Sequence, residues 1–449
     1  MRRRWSRIFA MSLALPMLLA LLAACGAGTG TGGTGGTGGA AQGPITLKIG
    51  TDLPVSNKDE SNGKPAQNGV QVAINDANAQ NLVPNVKFVP NFKDDVGPSG
   101  AHDPATGQKN VNELIGDAQV VGIVGPFNSN VAQAEMPVAN QAPIAMISPA
   151  NTNDCLTTST DDCSGANNKL PTYRPTGKVT YFRLATLDKY QGGSLADFGY
   201  TKKGWKKVYI VDDGETYGVG LANNFEKRWK SLGGTVLGHK SQPSTTTSYV
   251  GLLTEIGASK PDVIFFGGTD SSGGTPFRQQ AGQVPALKGI PLMGGDGLKS
   301  SSFARTVGPA ARNQVYASVA TVDATGGAQA ASDQAKKFLD AYDKLYGLNN
   351  ISAYSASGYD CAMILMTAVK NAIAAGAKPP ANPNDTDTAK TFRQAVIDAI
   401  QKIDYNGVTG HHTFDQNGDT TSKTITIYTV ATDVNVRDGW EVVDTIKVS

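Results

Sequence analysis

The chain of 449 residues is poor in the side chains that carry most enzyme chemistry: it has four cysteines, four histidines and four tryptophans. The histidines, His102, His239, His411 and His412, form no His-Glu-x-x-His pair, which excludes the commonest metalloprotease signature. Neither a Gly-x-Ser-x-Gly elbow nor a phosphate loop ending Gly-Lys-Ser/Thr occurs. No enzyme class therefore has its usual starting point here, and no cofactor is expected. Basic charge is also short: the 40 Lys and Arg include Arg2, Arg3, Arg4 and Arg7, so a chain without those four carries 36 basic against 38 acidic residues, a net −2. With no basic block in the body, binding to nucleic acid by phosphate neutralisation is excluded. What remains is globular in composition, 40% hydrophobic and 17% charged, and long enough for two or three domains.

The N-terminus has the three parts of an export signal. Arginines at 2–4 and 7 precede an uncharged run, Ile8 to Ala24, that Pro16 interrupts and that ends Leu22-Ala23-Ala24-Cys25. The run is barely long enough to span a membrane, for which about 20 residues are needed. Its ending resembles the bacterial lipobox, which implies that residues 1–24 are removed and that Cys25 becomes the lipidated first residue. The arginine cluster leaves either the general or the twin-arginine export route open. Residues 25–43 are nearly all Gly, Thr and Ala, with no apolar face to bury, and read as a tether of roughly 25 Å root-mean-square span.

In an exported chain Cys155 and Cys163, set in a polar segment, are expected to form a disulfide. Zinc is the competing reading, with only Asp154, Asp161 and Asp162 nearby as further ligands and no histidine. Cys361 lies in an apolar helical stretch and reads as a buried small hydrophobe.

From residue 44 onward, strand-like runs alternate with helix-length segments, which indicates parallel sheets with crossover helices. Strands are expected at Ile45 to Leu53, Val86 to Phe92, Val120 to Gly125 and Ile144 to Ser148, with helices at Ala66 to Ala79, Thr106 to Ile115 and Val131 to Asn140. A polar loop, Asn151 to Lys178, breaks the rhythm. The alternation then restarts with strands at Lys207 to Val211, Val263 to Phe266 and Ile290 to Met293. Three later helices precede a β-rich tail, Ile425 to Val430 and Trp440 to Val448. The fold class is α/β, with two doubly wound parallel-sheet domains joined by a hinge that the chain crosses several times, near Leu184 to Asp188, Tyr316 to Thr321 and Ile425 to Val430. The expected lobes are residues 44–185 with 320–426, and 186–319 with 427–449.

Two strand ends stand out. Val124-Gly125-Pro126-Phe127-Asn128-Ser129 puts a hydroxyl where a buried strand gives way to a helix, whose free N–H groups and dipole favour an anion. Ile147-Ser148-Pro149-Ala150-Asn151-Thr152 offers a second hydroxyl beyond the same sheet edge, where ligands of open α/β sheets bind. Ser and Thr also cap helices routinely, so both readings of Ser129 and Thr152 stand. Asp415-Gln416-Asn417-Gly418-Asp419 begins like a calcium loop, but Thr420 and Thr426 replace the Gly and Glu such a loop needs, and it reads as a turn. Gly294-Gly295-Asp296-Gly297 follows a strand without completing a dinucleotide fingerprint.

Taken in order, Ile49-Gly50-Thr51-Asp52-Leu53-Pro54, Asn68-Gly69-Val70, Val121 to Gly125 with Ser129, Ile147 to Ala150, Asp212-Asp213-Gly214-Glu215-Thr216-Tyr217-Gly218, Gly294 to Gly297, Tyr359-Asp360 and Phe414 to Asp419 resemble the branched-chain amino acid binding family. These are extracytoplasmic solute receptors of ABC importers with the type I periplasmic binding protein fold. The resemblance implies that Ser129, Ala150 and Thr152 hold a ligand carboxylate, that Tyr217 packs on the ligand from the second lobe, and that Asp296 meets its ammonium. Asp188 and Tyr354 complete the implied ligand-binding set. The implied partners are an amino acid or similar solute, an ABC permease and a membrane reached through the lipid on Cys25. The sequence departs from the family after Pro54, where Val55-Ser56-Asn57-Lys58 lacks the usual small residues and following aromatic, and around Thr269 to Thr275, where relatives often carry tyrosine. An amide, urea or more polar amino acid is thus an alternative ligand. A sensor with the same fold, or an exported α/β enzyme, is an alternative role.

Overall fold

The computed structural model describes residues 43–159, 163, 169–325 and 332–448. The expected signal segment, Cys25 and nearly all of the tether lie outside them, as do Asp161 and Asp162. No helix among the described residues is long and apolar enough to cross a membrane.

The first lobe is wound around a five-stranded sheet of order β2-β1-β3-β4-β5, parallel throughout. Its elements are β1 (Ile45–Leu53), α1 (Glu60–Ala79), β2 (Val86–Asp94), α2 (Pro104–Gly116), β3 (Val120–Val124), α3 (Ser129–Gln141), β4 (Ala145–Ser148), the short α4 (Leu170–Tyr173) and β5 (Tyr181–Arg183). All five residues of β3 are buried, as expected for a central parallel strand covered by helices on both faces. Helix α1 starts earlier than its apolar pattern, taking in Gly63 and Pro65. The glycines within it serve packing: a Cβ on Gly69 would overlap the Ser355 carbonyl, so the helix lies directly against a partner from late in the chain.

The second lobe continues with α5 (Asp188–Asp197), β6 (Lys207–Asp212), α6 (Thr216–Ser231), β7 (Thr235–Ser241), α7 (Val250–Ser259), β8 (Val263–Gly267), α8 (Thr275–Ala281), β9 (Leu292–Gly294), α9 (Ser301–Val307) and β10 (Val315–Val319). The chain then returns to the first lobe as α10 (Asp333–Tyr346), α11 (Ala353–Ala374), α12 (Thr386–Ile400) and the small hairpin β11 (Tyr405–Gly407) and β12 (Gly410–His412). Leu365, Met366 and Phe392 of these helices share a core with Leu47, Val121 and Ile147 of the first sheet. The last two strands, β13 (Thr424–Val430) and β14 (Trp440–Lys447), join the second sheet, whose order is β14-β13-β10-β9-β8-β6-β7. That sheet is parallel over β6–β10, and the β-rich tail adds an antiparallel hairpin at one side.

Three chain segments pass between the lobes side by side. Thr186 N–H donates to the Ala320 carbonyl at 2.8 Å, tying the first to the second, and Arg183 N–H donates to the Gly418 carbonyl at 3.1 Å, tying the first to the third. The calcium-like stretch is a turn, with Asp415 Oδ1 accepting from the N–H groups of Asn417 and Asp419 at 2.7 and 3.0 Å. Cys155 and Cys163 form a disulfide, and Cys361 is buried, its thiol pushed well up by that burial.

Candidate functional site

The carboxyl edges of both sheets face one cleft. Its cavity is lined by Phe127, Asn128, Ser129, Ala150, Asn151 and Thr152 from the β3–α3 and post-β4 loops, by Tyr354 from the start of α11, and by Tyr217, Thr269, Asp296 and Gly297 from the second lobe. The empty space between these walls, including the part open to the cleft, is about 270 Å³.

The two loops of the first lobe are stitched into one floor. Ser148 Oγ donates to the Pro126 carbonyl at 2.7 Å and accepts from the N–H groups of Ala150 and Asn151 at 3.2 and 2.9 Å. Asn151 Nδ2 donates to the Phe127 carbonyl, and Tyr181 Oη donates to Asn151 Oδ1, each at 2.7 Å. The expected Ala150 N–H donor thus already has a partner in Ser148. Neither hydroxyl of the two loops caps a helix. Asn128, not Ser129, occupies the N-cap of α3, and Asn153, not Thr152, caps the turn after β4. Thr152 Oγ1 and Asn128 Oδ1 are buried without a hydrogen-bond partner. An unsatisfied buried polar atom is costly, so two of them in one cavity lining, beside the N-terminus of a helix, mark a place prepared for a guest.

Opposite this floor, Asp296 sits in the turn after β9. Tyr217 Oη donates to its Oδ1 and Tyr354 Oη to its Oδ2, each at 2.7 Å. Tyr217 Oη in turn accepts from Gly297 N–H at 3.1 Å. Because Tyr354 belongs to the first lobe, this carboxylate is a meeting point of the two. Burial raises its affinity for a proton, and the phenol hydrogen bonds partly offset that. Burial and then the Asp296 charge push both phenols well up, so they stay protonated donors. Asp296 is the sole charged residue in the lining.

Six of the seven residues implied by the sequence therefore line one cavity: Ser129, Ala150, Thr152, Tyr217, Asp296 and Tyr354. Asp188 stands one layer behind Thr152. Its N–H donates to the Thr152 carbonyl at 2.8 Å, and neither carboxyl oxygen has a partner. Burial first, then the charges of Asp154 and Asp296, hold this carboxyl well above the usual carboxylate range. The amide of Gln191, one turn further along α5, is also without a partner. Sequence reasoning missed Phe127, whose ring meets Tyr354 edge-on at 4.7 Å and gives the first lobe an aromatic wall despite the lack of one after Pro54. Its position two residues before Ser129, in the same loop, was the available signal. Thr269, where relatives often carry tyrosine, also lines the cavity.

A family model described as periplasmic binding protein matches residues 46–435. The chain is 24% identical to the Leu/Ile/Val-binding protein BraC3 of Rhizobium johnstonii over 85% of its own length and 91% of that protein's. In fold it is similar to the branched-chain amino acid transporter substrate binding protein LivJ of Streptococcus pneumoniae, solved with isoleucine, at a TM-score of 0.68 and 24% identity over 89% of this chain and 99% of that one. It is equally similar to a solute binding protein of an ABC transporter from R. palustris, solved with 4-hydroxybenzoate, at a TM-score of 0.70 and 19% identity over 90% and 97%. With the family's pattern running through both lobes and across the cleft between them, this chain belongs to the periplasmic binding protein family.

Proposed function

We propose that the protein is the solute-binding component of an ABC importer and that its cavity takes an amino acid with a compact apolar side chain, of the branched type. The observation that carries this reading is the polarity of the cavity. On one side lie the N-terminus of α3 and the unpartnered Thr152 hydroxyl, which suit a carboxylate. On the other lies Asp296, with no Lys, Arg or His in the lining to neutralise it. A zwitterion supplies both missing partners, and burying either of its charges without one is costly. The aromatic wall of Phe127 and Tyr354 suits the apolar tail. The relatives named above as Leu/Ile/Val-binding support the same ligand class. Calorimetric titration with leucine, isoleucine and valine tests it, with native mass spectrometry to identify any solute that copurifies; no heat with any of the three, and a different solute carried, would overturn it.

An aromatic carboxylate is a second reading. Both oxygens of Asp296 already accept from tyrosines, so the closed site has a satisfied form that needs no ammonium, and a fold neighbour was solved with 4-hydroxybenzoate. Cys25 is proposed to carry the lipid that holds the exported chain at the membrane. Cys25→Ser should then release the protein into the soluble fraction, and an unchanged membrane-bound fraction would remove the anchor from the account.

A further inference from the structure

The mouth of the cleft carries interlobe contacts that take no part in the cavity. From the first lobe come Asp59, just before α1, Asn62 in its first turn, and His102 in the β2–α2 loop; from the second come Glu215, just before α6, and Asp270 and Ser271 after β8. Asn62 Nδ2 donates to Asp270 Oδ1 at 2.9 Å, and the Ser271 hydroxyl donates to Asp59. Between them sits His102, its side chain 2% exposed. Its Nδ1 is 3.0 Å from Asp59 Oδ2, which also accepts the His102 backbone N–H at 2.8 Å, and its Nε2 is 2.8 Å from Glu215 Oε2. A neutral imidazole has one N–H and would turn a lone pair toward one of these carboxylates; the imidazolium donates to both.

We propose that His102 is a latch across the cleft: as an imidazolium it donates to Asp59 of its own lobe and to Glu215 of the other, so that closure, and ligand capture with it, takes up a proton from solvent. The surroundings agree in sign. Asp95, with Asp94 beside it at the end of β2, acts on the ring's charge from the first lobe; Asp103 adjoins His102 in the chain, Asp213 acts on Glu215, and Asp270 is coupled to Asp59. Lys58 and Glu60, which flank Asp59 in the chain, are exposed. Burial opposes the charged ring, but the two carboxylates outweigh it and hold His102 well above its ordinary range, while His102 holds Asp59 below its own. Opening removes Glu215 and admits water, so the open form binds the proton less tightly. Between the two titration points each rise of one pH unit weakens closure by up to about tenfold, and above the higher point the latch is gone.

The inference rests on the reading of the molecule as a solute-binding clamshell, and its test has a readout without ligand. Small-angle scattering of the ligand-free protein should show the radius of gyration rising from about pH 6 to about pH 9 in the wild type, with His102→Gln and Glu215→Gln large and pH-independent. Asp95→Asn should keep the response, because Asp95 bonds to neither lobe's partner of the ring. A wild-type radius that is flat with pH, or a rise that persists in His102→Gln, would overturn the latch. With leucine, calorimetry in two buffers of different ionisation enthalpy should give proton uptake in the wild type and less in Glu215→Gln; equal uptake in both would count against the latch. Absence of leucine binding leaves the scattering result standing and counts against the amino acid reading alone.

Discussion

The hinge and the cleft both bury charge, and they treat it in opposite ways. At the hinge, Arg183 is fully buried, yet its Nε donates to Asp419 at 2.7 Å, its Nη1 to the Asn153 carbonyl at 2.7 Å and its Nη2 to Thr157 at 2.5 Å. Lys299 similarly meets Asp438 at 2.6 Å and Asp323 at 3.3 Å, and Tyr428 Oη donates to Asp323 at 2.6 Å. Although burial opposes it, Lys299 holds the Asp323 carboxyl below its usual range. In the cleft, no ion pair among the described residues meets Asp188 or Asp296: the Thr152 hydroxyl faces the first, and two phenols donate to the second. A satisfied buried network fixes one geometry, while an unsatisfied one is stabilised by whatever fills it. The Arg183 and Lys299 networks are complete in the protein alone; the cleft is completed by its ligand.

The contrast can be broken most directly at Arg183. Arg183→Met strands Asp419 and should cost about 3 to 5 kcal/mol in urea unfolding. A loss under about 1 kcal/mol would mean that the hinge network is no more fixed than the cleft. Asp188→Asn should do the reverse, leaving stability unchanged or raised because it removes an unpaired buried acid. The leucine affinity of Asp296→Asn should fall by roughly thirtyfold or more, as losing one member of a charge-assisted pair costs about 2 to 5 kcal/mol. A variant that loses stability and keeps affinity would reverse the assignment.

A smaller effect follows from pH. Burial first, with neighbouring carboxylates, raises Asp213 to about 7 and Asp154 to about 6, and burial raises Asp52 and Asp270 to about 6. Each sits above its unfolded value, so its contribution to stability is full below the unfolded pKa and is lost as pH rises through the folded one. Ligand-free protein should therefore melt a few degrees lower at pH 8 than at pH 5, a loss on the order of 2 kcal/mol. A melting temperature that climbs over that range would contradict the buried-acid picture. The smallest expected effect is at Thr152→Val, which removes one neutral hydroxyl and should weaken leucine about fivefold to tenfold, near 1 kcal/mol.

Much of the first lobe could be read from the chain because its strands are buried on both faces and stand out as continuous apolar runs: β1 begins and ends where the pattern does, and β3 stops one residue earlier, before Gly125. Tyr181–Arg183 was not assigned as a strand, since three residues ending in an arginine have no periodicity to detect; Asp419, far along the chain, with the Asn153 carbonyl and Thr157, makes that arginine tolerable inside. Strand β7 was missed for another reason, as it lies at the sheet edge and is only part-buried. In the cleft, Ser129 and Thr152 could be named because strand-to-helix junctions have a recognisable composition, while Asp296 could be named only from the resemblance to the family. The contact of Phe127 with Tyr354 and that of His102 with Glu215 could not, because each partner lies more than a hundred residues away in the chain and sequence distance carries no trace of that meeting.

The central claim is that the cleft waits for an ammonium as well as a carboxylate. It is tested most directly by titrating one protein sample, in one buffer, with leucine, with 4-methylpentanoate, which is leucine without its amine, and with 4-hydroxybenzoate. The account expects leucine to bind at least about thirtyfold more tightly than either acid, the cost of leaving the cleft carboxylates unpaired. Equal binding of leucine and 4-methylpentanoate, or tighter binding of 4-hydroxybenzoate, would contradict it.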